Sequence, residues 1–157
     1  MEAEYKNRKI QRSDEIMDWE IEELIASLKS EDRFTRLNAL FVIRNSNDER
    51  FIEPLISLTH HENRATREYA LYLLATLENQ VACGERVVET FIKALNDENP
   101  SIRRYATLVL GYFGDDAAAK PLIKALRDTD EKVREEVMNA LSSILIGMGP
   151  RRATGKI

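Results

Sequence analysis

Asp97-Glu98-Asn99-Pro100-Ser101-Ile102-Arg103-Arg104-Tyr105-Ala106 is the stretch whose reading decides the fold. Asn99 is a preferred N-cap residue, able to accept a hydrogen bond from a free N–H in the first turn of a helix. Pro100 follows it at the first helical position, where a missing N–H costs nothing. Ala106, Val109 and Leu110 then recur at helical spacing and mark one apolar stripe. The same reading applies at three other places. Asp32, Asn63 and Asp130 stand where Asn99 stands, and Arg36, Arg67 and Arg134 stand where Arg103 stands. Each arginine follows a short apolar segment: Leu24-Ile25-Ala26-Ser27-Leu28, Leu55-Ile56-Ser57-Leu58-Thr59, Phe91-Ile92-Lys93-Ala94-Leu95 or Leu122-Ile123-Lys124-Ala125-Leu126. Successive arginines lie 31, 36 and 31 residues apart.

Four segments that superimpose without internal gaps define a repeat architecture. Each unit reads as a helix, a short turn and a second helix. The stripe Ala106, Val109, Leu110 has the equivalents Ala39, Val42, Ile43, then Ala70, Leu73, Leu74, then Val137, Ala140, Leu141. Its small first residue lets neighbouring backbones approach. The five extra residues of the middle interval fall after Leu77, around Glu78 to Gly84, and are expected to lengthen a connection while leaving both helices intact. No segment shows the sustained alternation of a half-exposed strand, so the fold class is all-α. The expected organisation is an N-terminal capping segment over 1–18 and four units at about 19–46, 48–78, 85–114 and 116–146, with a basic mobile tail over 147–157. Ser13 is expected to cap a helix that starts at Asp14 and runs through Trp19 to Leu28.

Composition bounds the function. The chain has 157 residues, 43% apolar and 32% charged, with six Gly, four Pro, one Cys and two His. That is long enough to bury a core and too apolar for disorder. A lone Cys83 excludes a disulfide framework and any multi-thiolate metal site within the chain. The net charge of −4 gives no cationic field for nucleic acid. The charged start, Met1 to Glu15, lacks the apolar core of a secretory signal, and no apolar run reaches the length of a membrane span. The expected location is cytoplasmic.

With these residues in view, Asp97–Ala106 and Asp128-Thr129-Asp130-Glu131-Lys132-Val133-Arg134 resemble HEAT-type repeats. More narrowly, they are similar to the short HEAT-like units named after the phycobilisome lyases. The resemblance spans about residues 19–146. It implies a right-handed α-α superhelix, an α-solenoid of about four helical hairpins whose second helices line the concave surface. Such repeats serve scaffolds, adaptors and a few enzymes. Units one and two depart from the pattern, with Thr35 and Thr66 where Ile102 and Val133 stand, and Thr59 in place of a closing Leu.

Candidate sites follow. The arginines Arg36, Arg67, Arg103 and Arg134 read better as a structural ladder than as an anion track. Acidic residues stand close by at Asp32, Asp97, Asp128 and Asp130, and Asp97 and Asp128 are the expected ladder partners. His60-His61-Glu62 reads as a polar turn, because consecutive residues point in different directions. HEAT-like deoxyhypusine hydroxylases carry His-Glu pairs near the starts of second helices to hold iron. Here the residues after each arginine are Leu37-Asn38, Glu68-Tyr69, Arg104-Tyr105 and Glu135-Glu136, so the resemblance implies no iron set. No glycine-rich phosphate loop or nucleophile–base pair stands out, and neither cofactor nor metal is expected.

The remaining feature is an aromatic stripe at i, i+3, i+7 on the second helices, opposite the buried one. It comprises Asn38, Tyr69, Tyr105 and Glu136, then Phe41, Tyr72, Leu108 and Asn139, then Asn45, Thr76, Tyr112 and Ser143. Tyrosines offer apolar area with a polar tip and suit a binding surface. The expected function is a non-catalytic interaction module. It would hold a protein or peptide against Phe41, Tyr69, Tyr72, Tyr105 and Tyr112, with Glu68 and Arg104 tuning specificity. Two alternatives are an enzyme or subunit resembling the HEAT-like bilin lyases and a nucleic-acid binder resembling the HEAT-like DNA glycosylases. The second is disfavoured because Glu68, Glu135 and Glu136 would repel phosphate. The chain is expected to be a monomer or a weak homo-oligomer.

Overall fold

Four capped turns dictate four helix starts, and the computed structural model, which describes residues 16–81, 84–113 and 116–146, shows them. Eight α-helices are seen among the described residues: α1 (Asp18–Ser27), α2 (Arg33–Ser46), α3 (Ile52–Leu58), α4 (Arg64–Val81), α5 (Glu85–Ala94), α6 (Pro100–Phe113), α7 (Ala119–Ala125) and α8 (Glu131–Ile146). Short 3-10 turns at Glu49–Phe51 and Asp116–Ala118 lead into α3 and α7. No strand occurs among the described residues. The helices pair as α1/α2, α3/α4, α5/α6 and α7/α8, and each second helix packs on the next one along, α2 on α4, α4 on α6 and α6 on α8. Four hairpins stacked in this way form an α-solenoid.

The caps have visible geometry. Asp32 Oδ2 accepts the Thr35 N–H and hydroxyl, both at 2.7 Å, and these bonds hold its carboxyl below the usual range. Asn63 Oδ1 accepts the N–H of Ala65 at 2.9 Å and of Thr66 at 3.3 Å. Asn99 Oδ1 takes the Ser101 N–H at 2.9 Å, and Asp130 Oδ1 the Val133 N–H at 3.1 Å. Each satisfies a donor that the helix itself leaves free.

One continuous core runs through the stack. Leu28, Ile43, Phe51, Leu55, Leu74, Phe91, Ile102, Leu110, Leu122 and Val137 are all essentially inaccessible. Phe91 sits at its centre, edge-on to Tyr105 and Phe113 with ring centres 6.4 and 6.0 Å away. Helices α6 and α8 approach closely. A Cβ on Gly111 would lie 2.7 Å from both the Cα and the Cβ of Ala140, so glycine is required there.

Two sequence expectations need correction. The first helix starts at Asp18, not Asp14. Met17 is extended, and Glu20 takes its N–H at 2.9 Å, so the start is set by an acidic first turn on the dipole. Ser13 lies outside the described residues. The middle insertion, moreover, does not only lengthen a connection. Helix α4 continues through Glu78-Asn79-Gln80 to Val81, because no breaker precedes Gly84, whose φ of +80° suits glycine. Cys83 and the 147–157 tail also lie outside the described residues.

Candidate functional site

Side chains at the starts of three second helices converge on an apolar groove of about 450 Å³. Helix α2 contributes Leu37 and Leu40, α4 contributes Glu68, Tyr69, Leu71 and Tyr72, and α6 contributes Ser101, Ile102 and Tyr105. A second hollow of about 320 Å³ lies further along α4 and α6, beside Thr76, Leu108 and Tyr112. Tyr105 lines both and forms the partition between them. Burial, with a smaller contribution from Tyr72, pushes its phenol up to about 12, so it stays neutral at physiological pH. Glu68 is the one carboxylate on the groove wall, and Arg64 already holds it, Nε to Oε1 at 2.8 Å. Arg44 of α2 donates to the Tyr72 hydroxyl at 3.3 Å across the α2/α4 junction.

The expected binding residues fall into two groups. Phe41, Tyr72 and Tyr112 are exposed, and Tyr69 and Tyr105 are half-buried against the core. Glu68 lies on the groove wall, whereas exposed Arg104 lines neither hollow. Sequence reasoning missed Leu37, Leu40, Leu71, Ser101 and Ile102. Periodicity sorts positions into core and surface, and Leu71 and Ile102, which are buried on the groove, fall outside the stripes that it picked out. The signal available was Leu37, an apolar residue where the other units carry Glu68, Arg104 and Glu135.

The arginines lie on the turn side of the stack, and Arg67 and Arg103 share one geometry. Arg103 donates through Nε and Nη2 to both carboxylate oxygens of Asp128, each at 2.7 Å, and through Nη1 to the carbonyls of Asp97 and Glu98. Arg67 repeats this with Asp97, at 2.8 and 3.1 Å, and with the carbonyls of His61 and Glu62. Each guanidinium thus closes its own turn and clamps the turn of the next unit. The Arg103 hydrogen bonds hold the Asp128 carboxyl below the usual carboxylate range, and Asp128 raises Arg103 in return. Asp32 and Asp130 are not ladder partners; they cap α2 and α8.

His61 and Ser30 occupy the places of Asp97 and Asp128, six residues before their arginines. Both still serve their turns, His61 Nδ1 taking the Asn63 N–H at 3.0 Å and Ser30 Oγ the Asp32 N–H at 3.1 Å. Neither offers a carboxylate. Arg36 therefore caps only Ser30 O and Glu31 O, and its Nε is buried without a partner. Among the described residues no three His, Cys, Asp or Glu side chains gather closely enough to hold a metal ion. No helix among them is long and apolar enough to cross a membrane.

A stack of capped helical hairpins clamped turn to turn defines the HEAT/armadillo-like repeat solenoids. Residues 88–154 match the family model of HEAT repeats. No curated protein matches the chain. Among solved structures, human deoxyhypusine hydroxylase in complex with glycerol is similar at 26% identity and a TM-score of 0.63, over 80% of this chain and 43% of that one. A designed armadillo repeat protein in complex with the peptide (KR)4 is similar at 14% identity and a TM-score of 0.58, over 80% of this chain and 64% of that one. An engineered protein matches at 22% identity and a TM-score of 0.56, over 83% and 63%. The chain thus spans less than two thirds of the length of each of these three.

Proposed function

We propose that this protein is a non-catalytic binding module whose groove across α2, α4 and α6 holds an extended segment of a partner protein. The observation that carries this reading is the apolar groove itself, with the exposed ring of Tyr72 on its wall and that of Tyr112 on the neighbouring hollow. Aromatic anchors around a largely apolar trough, with few polar groups to fix orientation, suit side chains of a peptide. The designed armadillo protein solved with a peptide supports the reading by fold. The groove is uncharged apart from the paired Glu68, so the segment is expected to be apolar or aromatic and not a basic run.

The similarity to human deoxyhypusine hydroxylase, together with a groove that holds Tyr69 and Tyr105, favours an enzymatic reading as the alternative. Against it stands the chemistry of the groove wall: phenols, aliphatic chains, one serine hydroxyl and one carboxylate in an ion pair. The test is selection of displayed peptides on the full chain, followed by affinity measurement with Tyr72→Ala and Leu37→Glu, both at exposed wall positions. Selected peptides are expected to carry two apolar anchors and to lose about tenfold in affinity to each variant. Unchanged affinity in both variants, with the fold intact, would remove the groove from consideration.

A further inference from the structure

The internal junctions of the stack show what covers each unit. At the junction of the third and fourth units, Ile92, Leu95 and Asn96 face Pro121, Lys124 and Ala125 across a hollow of about 400 Å³. One repeat further on, their places are taken by Ile123, Leu126 and Arg127, of which Ile123 is 56% exposed. Met138 is 55% exposed, although its equivalents Leu71 and Thr107 are at 1% and 0%. Arg134 makes only half of the ladder bonding. Its Nη1 donates to Asp128 O at 2.7 Å and Thr129 O at 3.2 Å, while the edge that grips the next unit's Asp in Arg67 and Arg103 has no partner among the described residues. Among the described residues, the α7/α8 end thus presents one apolar patch and one guanidinium fork with its outer edge unfilled.

The first unit carries the complementary face. Trp19 stands in the place of Arg50 and Arg86, which reach back to Asp18 and Glu53 of the preceding unit. Phe34 stands in the place of Ser101, which meets Tyr69 and Leu71 of the preceding unit. Both rings are exposed. Glu23 takes the place of Pro121, and Glu31 that of Glu98, whose Oε1 is a second acceptor for Arg67 at 2.9 Å. One end is aromatic and acidic, and the other aliphatic and basic.

We propose that the α7/α8 end binds a second copy of this chain head to tail, with the α1/α2 hairpin of one copy stacked on the α7/α8 hairpin of the other. Glu31 then meets Arg134 as Glu98 meets Arg67. Ser30 stands where Asp97 and Asp128 stand, so the junction lacks its bidentate acceptor and association is weak and reversible. The two faces differ, so the contact is heterologous and adds copies head to tail.

Sedimentation velocity of the full chain tests this. The weight-average sedimentation coefficient is expected to rise with concentration. Ser30→Asp keeps the turn, since Ser30 Oγ already accepts the Asp32 N–H as Asp97 Oδ1 accepts that of Asn99, and it supplies the missing carboxylate. It is expected to lower the concentration of half-association about tenfold. Arg134→Ala should erase that gain, and Met138→Glu, at an exposed side chain, should leave a folded monomer by circular dichroism. The proposal is overturned if wild type and Ser30→Asp both sediment as monomers at every concentration. It is equally overturned if association persists unchanged in Met138→Glu.

Discussion

Replacing Asp128 with alanine removes one rung of the ladder. The rung consists of two parallel charge-assisted hydrogen bonds of 2.7 Å between side chains that are 12% and 8% exposed. A fully exposed ion pair contributes about 0–1 kcal/mol, and breaking a fully buried one costs about 3–5 kcal/mol. This pair sits at the edge of the stack, near water but largely covered, so the loss is expected near 2 kcal/mol. Asp128→Ala also frees the Asp130 N–H, which Asp128 Oδ1 accepts at 2.8 Å. Urea unfolding at neutral pH measures the loss as a lower midpoint at unchanged slope. The sign with pH is fixed by the depressed Asp128 carboxyl. Its stabilisation is fully present above the unfolded-state value of 3.8 and is lost as pH falls through the lower folded-state value. Wild type and Asp128→Ala should therefore converge in acid. The double replacement Arg103→Met/Asp128→Leu leaves no charge unpaired and should lose less than Arg103 or Asp128 replaced alone, although the Asp97 and Glu98 carbonyls and the Asp130 N–H still lose their partners. A loss below about 0.5 kcal/mol in the single variant, or a gap that persists in acid, would refute the idea that the ladder holds units in register.

Other perturbations test neighbouring parts of the argument. His61→Asp supplies the carboxylate that Arg36 lacks and keeps the acceptor for Asn63 N–H. Thermal or urea unfolding should show a gain of about 1 kcal/mol. Gly111→Ala gains helix propensity of about 1 kcal/mol but places a methyl against the α8 backbone, and the clash should win with a net loss of about 1–2 kcal/mol. Spectrophotometric titration should show one phenol ionising near 12. The raised Tyr105 value contributes stability that is full below about pH 10 and lost as pH rises through about 12, and Tyr105→Phe should remove that loss.

The starts of the four second helices and the spacing of the turn arginines were legible because each rests on local chemistry at fixed spacing. An Asx residue followed by an arginine four positions later can be counted along the chain. The α4 extension was not legible from the alignment, which shows five extra residues without saying whether they stay helical; the absence of Gly or Pro before Gly84 held that answer. The groove was half legible. Tyr69, Tyr72 and Tyr105 lie on it, but its floor of Leu71 and Ile102 belongs to a junction between units, and a junction has no one-dimensional signature. The uneven ladder was in plain view as Ser30, His61, Asp97 and Asp128, and needed only the question of what stands six residues before each arginine.

That unevenness bears on the groove. The Arg67–Asp97 rung fixes α4 against α6, while the corresponding junction between the first and second units has no carboxylate for Arg36 and relies on the Arg44–Tyr72 contact, the exposed Arg50–Asp18 pair and apolar packing. Leu37 and Leu40 of α2 are one wall of the groove, so that wall is the less firmly held. A solenoid's stability is close to a sum of unit and junction contributions, so a junction short of a rung opens first. Native-state hydrogen exchange should therefore show the α2 amides opening at lower free energy than those of α6, by about 1–3 kcal/mol, the cost of leaving one buried donor unsatisfied. A bound segment that touches both walls should narrow the gap by protecting α2 more than α6. Equal protection of α2 and α6 in the free protein would show that apolar packing alone sets the junctions, and the account of the ladder as the element that sets groove geometry would then fail.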